Sequence, residues 1–188
     1  MRRAAVTVLA ALVAGCGGGG AAATVAPAGK VVAGETETGM ELKVETFVAP
    51  DSDPTLKRLD AYRAAGGYPA VDYHRVSADN ADGAVADRIR TVTFARTPAS
   101  ITTGKGIQAR FMCDALTYEW VPQDGEQRTY AALRKTLCAV PPSEPEGIQP
   151  GQRTVYYLIT DRTFAERGIR GLSVFGPRDV EFEPQRSD

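Results

Sequence analysis

Three cysteines, one histidine and an acidic loop are the side chains of this 188-residue chain with chemistry to offer. Cys16 closes the run Leu12-Val13-Ala14-Gly15-Cys16 and is followed by four glycines. Cys113 and Cys138 lack both a Cys-x-x-Cys spacing and nearby histidines, so a redox or zinc pair is unsupported. His74 could serve as a general base or metal ligand with Asp72 or Asp79. A lone histidine in a strand is more often structural or simply exposed. In the acidic loop from Asp79 to Asp87, which offers Asp79, Asp82 and Asp87 for weak ion binding, Asn80, Asp82 and Gly83 sit at offsets like those of a calcium loop. Ala78 occupies the first ligand position and Ile89 the last, which removes an EF-hand and leaves weak ion binding against a solvated turn. Gly104-Lys105-Gly106 lacks the upstream glycine and the Ser/Thr of a phosphate loop. Around Ser173 the second glycine of a nucleophile elbow is missing. A copper site would need more than Met40, Met112 and His74. No catalytic set, cofactor site or metal site emerges.

The N-terminal stretch is the most specific. Met1-Arg2-Arg3 is a short basic start, and an apolar run from Ala4 to Ala14 follows. That run is well short of the roughly 20 apolar residues needed to span a bilayer. A basic start, a short apolar run and small residues before a cut site describe a secretory signal. With Cys16 directly after Val13-Ala14-Gly15, the segment resembles the lipobox of bacterial lipoproteins: an aliphatic residue, two small residues and an invariant cysteine. The resemblance implies cleavage between Gly15 and Cys16 and a diacylglyceryl thioether on Cys16, with a further fatty acyl group such as palmitate on the new amino terminus. One acyl chain anchors only marginally, at roughly 10⁴ M⁻¹, and a lipidated Cys16 would supply at least two. The expected location is the bacterial cell envelope, membrane-anchored on the extracytoplasmic side.

Composition agrees with a folded, exported domain. Apolar residues make up 43% of the chain, as in globular proteins. Losing Arg2 and Arg3 with the leader takes the 22 basic residues to 20 against 23 acidic ones. No long basic run appears, so nucleic acid is not an expected partner. With Cys16 assigned to lipid, Cys113 and Cys138 most simply pair in an exported protein. Such a bridge should stabilise the fold by roughly 3–4 kcal/mol.

The elements that must position these groups follow from periodicity. Residues 1–15 read as signal peptide, 16–34 as the lipidated cysteine with a small-residue tether, 35–184 as one domain and 185–188 as a frayed tail. The tether has a root-mean-square span of roughly 25 Å. Met40, Leu42, Val44 and Val48 alternate with Glu41, Lys43 and Glu45, predicting a half-buried strand. Asp53 can cap a short helix with Pro54 in its first position, Leu56, Leu59 and Tyr62 on its face, and Gly66-Gly67 at its end. Residues 71–76 and 90–96 read as strands, with Val92 and Phe94 inward, separated by a polar loop over 77–83. Ile107, Ala109, Phe111 and Cys113 share a face, which turns Cys113 to the core. Leu116, Tyr118 and Trp120 continue in a strand-like pattern. Residues 130–138 fit helix or strand. The prolines of 140–146 demand an irregular loop. Residues 154–160 are apolar on both faces and predict a central strand, followed by strands over 171–175 and 180–183.

Seven or eight short strands with one short helix and no βαβ rhythm predict an all-β, antiparallel sandwich. The domain resembles small secreted or lipid-anchored bacterial domains of immunoglobulin-like fold and unknown function, similar in fold to a small mycobacterial secreted immunogenic protein. The resemblance rests on Gly34-Glu35-Thr36, on Asn80-x-Asp82-Gly83 between strands, and on Ile148-Gln149-Pro150-Gly151-Gln152 before the late central strand. It covers most of 35–184 and implies no known activity. Tyr118, Trp120 and Tyr130 around a charged turn are a candidate binding surface, or else they cover the proposed disulfide. The expectation is a non-enzymatic binding module for an envelope protein or small ligand. The alternatives are a small envelope enzyme using His74 with a nearby carboxylate, or a purely structural part of an envelope complex.

Overall fold

A computed structural model describes residues 31–36, 38–89, 91–95, 107–123, 125–139, 147–161, 171–175 and 179–182. Residues 1–15, read above as a signal peptide, Cys16, residues 17–30 of the stretch read as a tether, Gly104-Lys105-Gly106, and residues 140–146 and 183–188 lie outside the described residues.

Local pattern explains most elements. In β2 (Glu41–Glu45) Leu42 and Val44 are buried while Glu41 and Lys43 are exposed. β1 (Val31–Glu35) pairs with it, Val31 opposite Glu45, so regular structure starts inside the stretch read as tether. After a 3-10 turn at Pro50–Ser52, α1 (Pro54–Ala65) begins with Pro54 at its first turn. The Asp53 carboxylate caps it by accepting from Thr55 N–H (2.8 Å) and Leu56 N–H (3.2 Å). Leu56, Leu59 and Tyr62 are its buried side, and Gly66 and Gly67 end it. β3 (Val71–Asp79) runs three residues further than the expected strand, because Ser77, Ala78 and Asp79 continue the ladders on both sides. β4 (Thr91–Ala95) buries Val92 and Phe94 as expected.

β5 (Ile107–Phe111) turns directly into α2 (Met112–Tyr118), which replaces the strand expected through Leu116, Tyr118 and Trp120. The buried residues there are Met112, Cys113, Ala115 and Leu116, which is helical spacing. A period-two count of Leu116, Tyr118 and Trp120 alone passes over Met112 and Ala115. The ambiguous 130–138 stretch is helix α3 (Gln127–Leu137), with Leu133 and Leu137 buried. β6 (Arg153–Asp161), β7 (Gly171–Phe175) and β8 (Asp179–Phe182) complete the chain.

The strands form one antiparallel sheet in the order β1-β2-β3-β6-β5-β4-β7-β8. β6 is central, as its two apolar faces require. The fold is therefore mostly β and antiparallel, with three α-helices among the described residues where one was expected. β5 joins two halves, and its register with β6 is only two residues long, Arg110 with Ile159 and Phe111 with Leu158. The sheet curls so that β1 and β8, at its two ends, lie within 8 Å at their Cα atoms. His74 on β3 and Phe94 on β4, three strands apart in the order, meet across the inside with ring centroids 4.5 Å apart.

Two apolar clusters result. The inner one joins Leu42, Val44, Val76, Val92, Phe94 and Leu158 within the curl. The outer one lies between the helices and the far side of β3 and β6, joining Leu56, Leu59, Leu116, Leu133, Tyr73 and Ile159. The disulfide Cys113–Cys138, Cα atoms 5.1 Å apart, ties the start of α2 to the end of α3. That pairing was expected. Among the described residues no helix is long and apolar enough to cross a membrane.

Candidate functional site

His74 is the residue with most chemical potential, and β3 turns it inward beside Val76. It has no solvent exposure. Its ring lies between Phe94, at 4.5 Å, and Phe47, edge-on at 5.2 Å. The Phe47 N–H donates to Nδ1 at 3.3 Å. In the neutral ring this leaves the proton on Nε2, which faces the Thr160 hydroxyl at 2.9 Å. Burial alone pushes the imidazole down to about 3, because an imidazolium would lose its hydration there. Both nitrogens are engaged and neither edge faces solvent.

The carboxylates considered as its partners divide. Asp72, two residues before His74 in the same strand, shares its side of the sheet, opposite Thr160. Asp79, five residues on, faces outward. Its carboxylate pairs with Arg153 at 2.7 Å and accepts from Ala81 N–H at 2.9 Å. The Ala81 amide and then Arg153 hold it below the usual carboxylate range.

The acidic loop is a braced corner. Asn80 is fully buried and donates to the carbonyls of Val85 (3.0 Å) and Ile148 (2.7 Å). Asp87 and Ile148 exchange backbone hydrogen bonds, and the Asp87 carboxylate accepts from the Thr38 hydroxyl. Gly83 is required because a Cβ there would fall 1.7 Å from Asn80 Oδ1. The Asn80-x-Asp82-Gly83 pattern thus joins the β3–β4 loop to the approach to β6. Among the described residues no three side chains gather as metal ligands, and Asp79, Asp82 and Asp87 do not form such a group.

Tyr118, Trp120 and Tyr130 do not form one exposed surface. Tyr118 is 78% exposed, whereas Trp120 is 3% exposed and stacks on Tyr68 with centroids 5.6 Å apart. The Tyr130 hydroxyl donates to Leu116 O (2.9 Å), the Tyr62 hydroxyl to Trp120 O (3.0 Å), and the Tyr68 hydroxyl to Val121 O. Three phenols therefore satisfy carbonyls that the short helix α2 and its exit leave without partners.

Away from these helices, the outer face of β1, β2 and β3 carries a groove of about 560 Å³ lined by Ala33, Glu35, Glu41, Lys43, Ser77 and Asp79. A second groove of about 460 Å³ runs between α1 and α3, past Arg58, Ala61, Glu126 and Thr129. Sequence reasoning also missed the second role of Asp53. Besides capping α1, its Oδ2 accepts from the Tyr157 hydroxyl at 2.8 Å and meets Arg75 at 3.4 Å, and Arg75 also pairs with Glu45. No local signal announces a contact 104 residues long. The chain matches no family model, no curated protein and no solved structure. Its residues and their geometry are the whole ground for a functional reading.

Proposed function

We propose that this protein is a lipid-anchored extracytoplasmic domain of the bacterial envelope, a non-enzymatic module that binds an envelope protein or a small ligand. The observation that carries the proposal is Leu12-Val13-Ala14-Gly15-Cys16 at the end of a short apolar run with a basic start. The Cys113–Cys138 bridge supports it, since disulfides persist in oxidising compartments. The groove beside Glu35, Glu41 and Lys43 supplies a mixed-charge binding surface, and the exposed Tyr118 an aromatic one. The immunoglobulin-like relationship belongs to the same proposal. Its support is the pair of antiparallel halves that face each other across one core and are joined by a two-residue register.

The test is the intact mass of the protein extracted from membranes. The expected mass lacks residues 1–15, carries a diacylglyceryl group on Cys16, and is two hydrogen atoms short for the bridge. Cys16→Ala should release the protein from the membrane fraction. Recovery of the uncut chain from cytosol, with both thiols free, would overturn the proposal. Crosslinking in cells should return a reproducible partner, lost on Glu41→Lys or Tyr118→Ser if these surfaces do the binding.

A further inference from the structure

Phe47 is the second residue of the connection from β2 to α1. Its φ of 54° lies in the left-handed region, and among the described residues no other non-glycine does so. A residue with a Cβ enters that region only where its surroundings hold it. What holds Phe47 is His74, which accepts its amide at Nδ1 and meets its ring edge-on. The next amide, Val48 N–H, donates to Tyr73 O at 2.8 Å. His74 is itself fixed by Phe94 and Thr160.

Nδ1 accepts a hydrogen bond only while it is unprotonated. Protonation sets a donor against the Phe47 donor and places a charge where no solvent reaches. The surroundings offer little to offset it. On β3 the ionisable neighbour on that side is Asp72, opposite Thr160, and burial alone accounts for the lowered imidazole. On β6 it is Tyr156, opposite Val76, a phenol that burial pushes up to about 12 and keeps neutral. Phe94 and Val92 on β4, Phe111 on β5 and Leu158 on β6 carry no charge. Glu45 and Arg75 face outward and pair with each other.

We propose that His74 is an acid-released latch: its neutral imidazole holds the Phe47 amide, and through residues 46–53 the helix α1, against the sheet, and its protonation frees α1 from the apolar layer beneath. Release uncovers Leu56, Leu59 and the surface they cover, while Cys113–Cys138 keeps α2 and α3 together. The latch acts whether or not Cys16 carries lipid. When Phe47 leaves, one side of the imidazole on β3 meets water while Phe94 and Thr160 stay, so its pKa rises toward the ordinary value of about 6.5 and the open state takes up a proton that the closed state refuses. Its population therefore grows as pH falls between pH 7.5 and 5.0, by at most about thirtyfold, the limit set by a fully ordinary imidazole.

The test is native-state hydrogen exchange on the whole chain from pH 7.5 to 5.0, corrected for intrinsic rates. The amides of Phe47 and α1 should show a rise in opening of between a few-fold and about thirtyfold, at opening constants larger than those of β6. His74→Asn, whose side-chain oxygen still accepts the Phe47 amide, should abolish the rise. Imidazole nitrogen shifts of the unsubstituted protein should stay those of a neutral ring protonated at Nε2 down to pH 5, a measurement that needs no variant. A flat pH profile, a rise that survives His74→Asn, α1 and β6 amides opening together as one event, or an imidazole that titrates near 6.5 in the folded protein would each overturn the latch.

Discussion

The inside of the curled sheet and the helix-covered outside are both buried, yet they are held by different means. The inner cluster is mostly apolar, and among the described residues the buried polar side chains near it stand at its rims. His74 and Thr160 stand at one end, Asn80 and Asp87 at the other. Strand register already fixes every backbone there, so apolar side chains need only fill the space between them. The outer cluster is set with hydroxyls and a covalent tie. Tyr62, Tyr68 and Tyr130 bond carbonyls of α2 and its exit, Tyr73 bonds Asp60 at 2.9 Å, and Tyr157 bonds Asp53. Helices satisfy their own backbones internally and have no ladder to a neighbour. Their seat on the sheet must come from directional side-chain contacts and from the disulfide.

That contrast can be broken most forcefully from the inside. Phe94→Ala should cost about 3–5 kcal/mol and lower the denaturation midpoint of strand and helix probes together. Helix probes that stay at the original midpoint would show that the outer layer does not depend on the inner one. Replacing both Cys113 and Cys138 by serine should cost about 3.5 kcal/mol in the chain-entropy model. The loss should appear first in exchange of α2 and α3 amides, and equal loss across β3 and β6 would erase the distinction between the two regions. Asp53→Ala should cost about 1–2 kcal/mol through the lost cap, read as faster exchange over α1. Burial pushes the Asp53 carboxyl up, but the Tyr157 phenol, the Leu56 and Thr55 amides and Arg75 together hold it below the usual range. Its contribution is thus complete above pH ~4 and is lost as pH falls through the lowered value. The gap between Asp53→Ala and the parent should therefore be constant from pH 5 to 8 in denaturant titrations. Smallest of all, Tyr118→Ser should change stability by less than about 0.5 kcal/mol, whereas a larger loss would place Tyr118 in the outer cluster after all.

Where a stretch obeys one local rule, its role was legible in the residues. The alternation around Leu42 and Val44, the Asp53-Pro54 start of α1, the inward Val92 and Phe94 and the two-faced strand at 154–160 all stand as read. Leu116, Tyr118 and Trp120 satisfied a strand rule by coincidence, and α2 formed because Met112, Ala115 and Leu116 satisfy a helical one with more burial. The candidate site was less legible. His74 was visible as a lone histidine, but Phe47 gave no sign that its amide would be the partner, and Thr160 lies 86 residues away.

By itself the sequence determined which segments are strands or helices wherever a single period ran unopposed, and it offered Cys113 and Cys138 as the simplest pair. Those properties depend on residues within a few positions of one another, or on counting. Only the tertiary structure decided that His74 would be sealed between Phe47 and Phe94, that Asp53 would reach Tyr157, and that Trp120 would be covered while Tyr118 is not. Each of these depends on the register of strands far apart in the chain and on the curl of the sheet, which no local period encodes.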